Sequence, residues 1–205
     1  MSQPDEDRRR QILDAAERLL RHYGPAKTTM AEIAREAAIG VGTVYLEFQS
    51  KDAILEALSD LRNTIVLDAM RKAALGNAPS YTHRIRATFD AKVTVLLQLA
   101  DEGAHAPDLV HCVQPAVQAA YGRFRTEESR LIAELLREAA RAGEFDVRDP
   151  GATAATVLVA YASFAPPWLF RQPREEVLRL LRAMHDLVLR GLLHRAPEPR
   201  KSSRS

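Results

Sequence analysis

The stretch from Thr28 to Lys51, TTMAEIAREAAIGVGTVYLEFQSK, constrains this chain more than any other. Thr29 precedes an acidic first turn with Glu32 three residues on, the spacing at which a threonine hydroxyl and a glutamate carboxylate each accept from the other's backbone N–H at a helix start. A helix is therefore predicted from Met30. Met30, Ile33, Ala34 and Ala37 recur at helical spacing and make one apolar face. Ala38-Ile39-Gly40 follows, with Gly40 supplying the backbone freedom for a tight reversal. A second helix is expected from Val41 or Gly42, anchored by Val41, Val44 and Phe48, with Thr43, Leu46 and Glu47 turned elsewhere and Tyr45 at the edge. The pattern is that of a helix-turn-helix.

Its chemistry suits a duplex groove. Short side chains at the start of the second helix allow close approach, and the hydroxyls of Thr43 and Tyr45 can donate to phosphates or base edges. Ser50 is placed to cap a further helix, and Lys51 stands in its first turn, where the helix dipole disfavours a cation, so a DNA phosphate is its expected partner. The candidate DNA-contacting residues are Thr28, Thr29, Gly42, Thr43, Tyr45, Leu46 and Lys51. Net charge adds nothing to this assignment, since residues 1–50 hold seven Lys/Arg against eight Asp/Glu. The local cations are Arg8 to Arg10 and Lys51, and much of the overall +2 comes from the last eleven residues.

Thr28-Thr29, Ile33-Ala34, Gly42-Thr43-Val44-Tyr45, Phe48, Ser50-Lys51-Asp52 and Leu55, preceded by an amphipathic helix, resemble the DNA-binding domain of the TetR family of transcriptional regulators over roughly residues 8–56. There are two departures. Ala38 stands where the family usually has the turn glycine, and a positive φ there would cost about 1 kcal/mol. Leu46-Glu47 replaces an aromatic or histidine pair, and a carboxylate beside a duplex is repelled unless it accepts from a cytosine amino group or pairs with a neighbouring base. The resemblance implies a homodimer and a ligand pocket in the larger domain. Two other readings stay open: a capped helix pair that is merely part of a bundle, and a helical ligand-binding or interaction protein without sequence-specific DNA binding. An enzyme is disfavoured, because no nucleophile–base pair, phosphate loop or paired carboxylate at catalytic spacing appears.

The chain has 205 residues, is 46% hydrophobic and is poor in glycine, which favours an all-α protein with a small N-terminal three-helix domain and a larger C-terminal helical domain for ligand binding and dimerisation. The expected domains span 8–56 and 57–195, with residues 1–7 and 196–205 as disordered tails. The predicted helices are Arg8 to Tyr23, with Ile12, Ala15, Ala16, Leu19, Leu20 and Tyr23 inward, and Asp52 to Leu75, with Ile54, Leu55, Leu58, Leu61, Ile65 and Leu67 or Met70 inward. Further helices are Tyr81 to Ala100, one from Asp108 bent or split at Pro115, Glu127 to Ala142, Gly151 to Phe164 and Pro173 to Leu193. The lone Cys112 excludes an intrachain disulfide, no stretch reaches the roughly 18 apolar residues of a membrane span, and a cytoplasmic protein without cofactor is expected.

The last helix is apolar over too wide an arc to pack on one side only, since Leu180, Leu187 and Leu189 fall outside the arc of Val177, Leu181, Met184 and Val188. Small residues on the preceding helix suit close approach, so a homodimer is expected through Leu158, Ala162, Leu180, Leu187 and Val188, in an antiparallel four-helix arrangement. Two reading helices would then meet half-sites of double-stranded operator DNA about 34 Å apart, or a multiple of this. Candidate ligand contacts are Phe89, His111, Tyr121, Phe124, Tyr161 and Trp168, each with core packing as its plainer role. His105, His111 and Cys112 do not make a metal site, because two are adjacent and cannot share a helix face. The expected function is a ligand-responsive repressor that binds a palindromic operator and is released by an unidentified small-molecule effector acting through the long linking helix.

Overall fold

A computed structural model describes residues 3–111 and 113–192, and every element in it is helical. Helix α1 spans Gln3–Tyr23, so residues 3–7, expected in a tail, open it, and Asp5 and Glu6 in its first turn meet the positive end of the helix dipole. It buries Ile12, Leu13, Ala15, Ala16 and Leu20, whereas Tyr23 is half exposed rather than on the stripe. Two short helices follow, α2 at Met30–Glu36 and α3 at Val41–Glu47. Helix α4, Lys51–Ala74, is opened by Ser50, whose hydroxyl accepts from the Ala53 N–H at 3.2 Å. Helix α5 has the predicted bounds Tyr81–Ala100.

The expected helix from Asp108 is only a short 3₁₀ turn, Ala106–Leu109, and α6 runs unbroken from Pro115 to Arg141. Pro115 begins a helix instead of bending one, since the missing N–H is one the first turn could not pair. The predicted helix from Glu127 is the second half of α6. Helix α7, Pro150–Ala160, is capped by Asp149 and ends short of Phe164, while α8 is Arg174–Leu192. Cys112, Leu193 and the basic tail lie outside the described residues.

Two hydrophobic clusters result, and α4 belongs to both. Its Ile54, Leu55 and Leu58 pack with α1, α2 and α3, and its Val66, Leu67 and Met70 pack with α5 and α6. The smaller cluster also takes Leu109 and Val117, so it reaches beyond residue 56. Between the clusters α4 buries Arg62 and Asn63, while Leu61 and Ile65, expected inward, are half exposed. The buried stripe keeps strict helical spacing through Leu58, Ser59, Arg62, Asn63, Val66 and Leu67. Arg62 is tolerated on it because its guanidinium donates to Glu17 on α1 at 2.5 Å and to Glu102 after α5 at 2.7 Å.

At the other end, Leu158 is buried within this chain's own core, as is Leu189. The inner arc of α8 is Val177, Leu181, His185 and Leu189. Leu180 and Val188 are partly buried against that core, whereas Leu187 on α8 and Val159 on α7 are each 72% exposed.

Candidate nucleic-acid interface and regulatory interior

The capping box forms as its spacing requires. The Thr29 N–H donates to Glu32 Oε2 at 2.8 Å and the Glu32 N–H to Thr29 Oγ1 at 3.3 Å. The Thr29 hydroxyl and N–H together hold the Glu32 carboxyl below its usual range. Helix α2 ends with Ile39 N–H on Ala34 O and Ala38 N–H on Arg35 O, the paired bonds of a glycine-type helix stop, made here with Ala38 at φ 53°. Gly40, expected to supply the reversal, has φ −67° and ψ 141°, open to any residue. The strained position is Ala38.

Val44 and Phe48 anchor α3, but Val41, in its first turn, is half exposed and outside the apolar cluster. Tyr45 is 52% exposed and Leu46 84%. A Cβ added at Gly42 would meet nothing within 4 Å, so nothing in this chain requires glycine there. Glu47 faces α1 rather than outward: Arg8 Nη1 donates to its carboxylate at 3.1 Å and Arg9 Nη1 to its carbonyl at 3.0 Å. Arg9 also lies 4.0 Å from the Phe48 ring centroid. Two of the three N-terminal arginines thus hold α3 in place.

Thr28 is buried and donates its hydroxyl to Gly24 O at 3.0 Å, closing the loop between α1 and α2. It is a loop fastener and does not reach the outer face. Thr29 is exposed, with its hydroxyl engaged in the cap. Lys51 Nζ donates to Pro25 O at 2.7 Å, a partner within the chain, which leaves the ammonium two further donors.

The six candidate ligand contacts do not converge on one place. Phe89 stacks on Tyr161 at 3.9 Å, and the Tyr161 hydroxyl is 2.7 Å from His185 Nδ1, whose Nε2 is 3.0 Å from Asp90. Burial first, then Asp90, pushes the Tyr161 phenol up. Separately, the His111 ring stands edge-on to Tyr121 at 5.2 Å, and Tyr121 is 5.9 Å from Phe124. Burial lowers the His111 pKa. Trp168 joins neither group; it is 54% exposed with Arg171 over its ring. His105 Nδ1 is 3.0 Å from Asp108, and among the described residues no three His, Cys, Asp or Glu side chains gather as a metal site. Missed from the sequence are Asn63, His185 and a buried ion pair of Lys92 on α5 with Glu128 on α6.

A capped helix, a tight turn and a third helix with a bare outer face, held by a helix that runs on into a larger bundle, define a helix-turn-helix DNA-binding regulator. Residues 12–58 match the family described as bacterial regulatory proteins, tetR family, and residues 82–181 match the tetracyclin repressor-like C-terminal domain. The chain belongs to the TetR family of transcriptional regulators, which are DNA-binding proteins and not enzymes. It is 25% identical over 200 residues to the HTH-type transcriptional regulator YhgD of Bacillus subtilis (strain 168), covering 91% of this chain and 97% of YhgD. The fold is shared with FadR from Bacillus subtilis in complex with stearoyl-CoA (TM-score 0.67, 16% identity, 89% of this chain and 98% of that one). It is shared also with SmeT in its triclosan complex (TM-score 0.66, 18% identity, 94% and 98%). No helix among the described residues is long and apolar enough to cross a membrane.

Proposed function

We propose that this regulator is a ligand-responsive repressor that binds a palindromic operator as a homodimer and is released by a small-molecule effector. The observation that carries the DNA face is the outer surface of α3: Gly42 opens onto free space, and Tyr45 and Leu46 project from the next turn. A glycine inside a helix costs about 1 kcal/mol against alanine. Such a residue is worth keeping where another molecule's backbone comes close. Thr43, Tyr45 and Leu46 read the groove, Thr29 flanks it, and Lys51 reaches a phosphate while holding Pro25. Leu46 meets a thymine methyl more readily than any polar base edge.

The dimer reading is supported by Val159 and Leu187, large apolar side chains left exposed on α7 and α8, with Ala155 and Ala162 beside them on the α7 side. Leu180 and Val188 contribute their uncovered edges, and Leu158 supports the face from below. The family relatives that hold stearoyl-CoA and triclosan support a ligand-binding larger domain, and their unlike ligands give no class for this chain. A regulator of this kind works in the compartment that holds the DNA, here the cytoplasm. Gel shifts with the promoter DNA flanking its own gene test the reading. Wild type binds, and Tyr45→Ala, which removes no core contact, weakens binding about 10- to 100-fold. Equal binding by both would take α3 out of the interface.

A further inference from the structure

The face that α3 turns outward holds little that can tell one base edge from another by hydrogen bonding. Val41–Glu47 contains no Arg, Lys, His, Asn or Gln, and its one charged residue is Glu47. Guanine edges are read by Arg or Lys, adenine by Asn or Gln, and cytosine by a carboxylate. The first two kinds are missing from the helix, and the third is engaged within the chain. The Glu47 carboxylate accepts from Arg8 Nη1 at 3.1 Å, its side chain is 14% exposed, and Arg9 Nη1 holds the carbonyl of the same residue at 3.0 Å. The nearest amide in sequence, Gln49, lies past the helix, beyond Phe48, whose φ of −137° and ψ of 116° set the backbone on an extended course.

What the face does hold is apolar. Leu46 is 84% exposed and Val41 half exposed. Positions 42 and 46 are four apart, so they share one line along the helix, nearly opposite the buried Val44. Gly42, where an added Cβ would meet nothing within 4 Å, lets the helix sit deep, and Leu46 projects one turn further on. Seven residues make a helix about 10 Å long, shorter than the roughly 12 Å width of a major groove, so Leu46 near its end still reaches base edges. The apolar feature of that groove is the thymine C5-methyl. The hydroxyls of Thr43 and Tyr45 flank the line, and a group that both donates and accepts separates the bases poorly.

We propose that α3 reads its half-site by thymine methyl groups, with Leu46 as the residue that sets specificity, and that a 5-methylcytosine in the same place is read as a thymine. This rests on reading α3 as the groove-facing helix, and it names what that helix selects. Glu47 is a positioning residue. Through Arg8 and Arg9 it fastens the end of α3 to α1, which keeps its carboxylate off the bases.

The test starts from duplexes that the full chain selects out of a random pool. Thymines of the selected half-site are replaced one at a time by deoxyuridine, which keeps every hydrogen-bonding group and lacks the methyl. At the thymine under Leu46 the replacement weakens wild-type binding about fourfold for each methyl lost, and about 16-fold when both half-sites carry it. Cytosine there also weakens binding, and 5-methylcytosine recovers most of the loss. Leu46→Ala, which removes an exposed side chain and no core contact, binds the thymine duplex more weakly and no longer distinguishes it from the deoxyuridine duplex. Indifference of wild type to deoxyuridine at every thymine overturns the assignment, as does a full fourfold loss kept by Leu46→Ala. Selected half-sites that respond to 7-deazaguanine and not to deoxyuridine overturn it too. Sequence-selective binding without a deoxyuridine response removes the methyl reading and keeps the DNA-binding regulator. A pool that yields no preferred sequence, or selected duplexes bound equally by wild type and Tyr45→Ala, takes α3 out of the interface, and this inference falls with it.

Discussion

The three N-terminal helices and the α4–α5–α6 bundle handle polar groups in opposite ways. The interior of the first is apolar, built from Ile12, Leu20, Ile33, Val44, Phe48 and Ile54, and its hydroxyls and charges lie at the caps, the loop closures and the outer face of α3. The bundle instead buries Lys92, Glu128, Thr88 and Asn63 among its leucines. Desolvating such groups is unfavourable unless they are paired. The difference is one of placement: the small domain keeps its polar groups at the surface, the large one buries several of them inside.

The hardest test of this contrast is the buried pair. Glu128→Gln leaves the Lys92 ammonium buried without its counter-charge, and such a break costs about 3–5 kcal/mol. Urea unfolding should register that loss, while Lys92→Met/Glu128→Leu recovers most of it. A single variant within about 0.5 kcal/mol of wild type would mean that water reaches the pair, and the contrast between the two interiors would fall.

Lys51 tests the surface side, because it is fastened to Pro25 O and yet lies beside the proposed DNA face. If its remaining donors meet a phosphate, Lys51→Met lowers operator affinity about tenfold and reduces the slope of log K against log salt by about one unit. A weaker complex with an unchanged slope would make Lys51 a loop fastener like Thr28.

What could be seen in the sequence follows the same division. The caps at Thr29, Ser50 and Asp149 and the bounds of α5 are local, a side chain meeting a backbone N–H three residues on, and the spacing shows them. The outer face of α3 was legible for the same reason. The middle of α4 was not. Choosing Leu61 and Ile65 over Arg62 and Asn63 follows hydrophobicity, yet the stripe set by Ile54, Leu55 and Leu58 continues at helical spacing onto the polar pair. That phase was the available signal. Glu47 was opaque because its partners, Arg8 and Arg9, are 39 and 38 residues away. The same holds for Lys92 and Glu128, 36 apart, and for Tyr161 with His185, 24 apart. Pro115 misled because proline both breaks and begins helices, and only the residues before it decide which.

Glu144 offers a smaller test, within the large domain but at its surface. Its carboxylate accepts from the Tyr81 and Thr82 N–H groups at 2.8 Å each and from the Thr82 hydroxyl at 2.6 Å, capping α5 from a distant loop. Burial pushes its pKa up, but the bonds from Thr82 and Tyr81 outweigh that and the pKa is lowered in the folded chain. A carboxyl lowered on folding contributes stability that is present above its unfolded pKa and is lost as pH falls through the folded value. Wild type should therefore lose more Tm between pH 7 and pH 3 than Glu144→Gln does, after about 1 kcal/mol of cap stability is lost at neutral pH. Parallel pH profiles would show that the cap carries no charge-dependent part.

The smallest effect returns to the small domain, where Ala38 sets local preference against the fold. At φ 53° an alanine Cβ crowds the backbone, at a cost of about 1–2 kcal/mol, and glycine escapes this but gives up more freedom on folding. Ala38→Gly should therefore gain at most about 1 kcal/mol, a rise in Tm of about 2–4 °C. Operator affinity should not change, because the bonds from Ala38 and Ile39 to Arg35 and Ala34 already fix the turn. Raised stability with weakened DNA binding would instead show that the strained alanine sets the angle between α2 and α3. The surface chemistry of the small domain would then depend on a strained backbone as well as on exposed side chains.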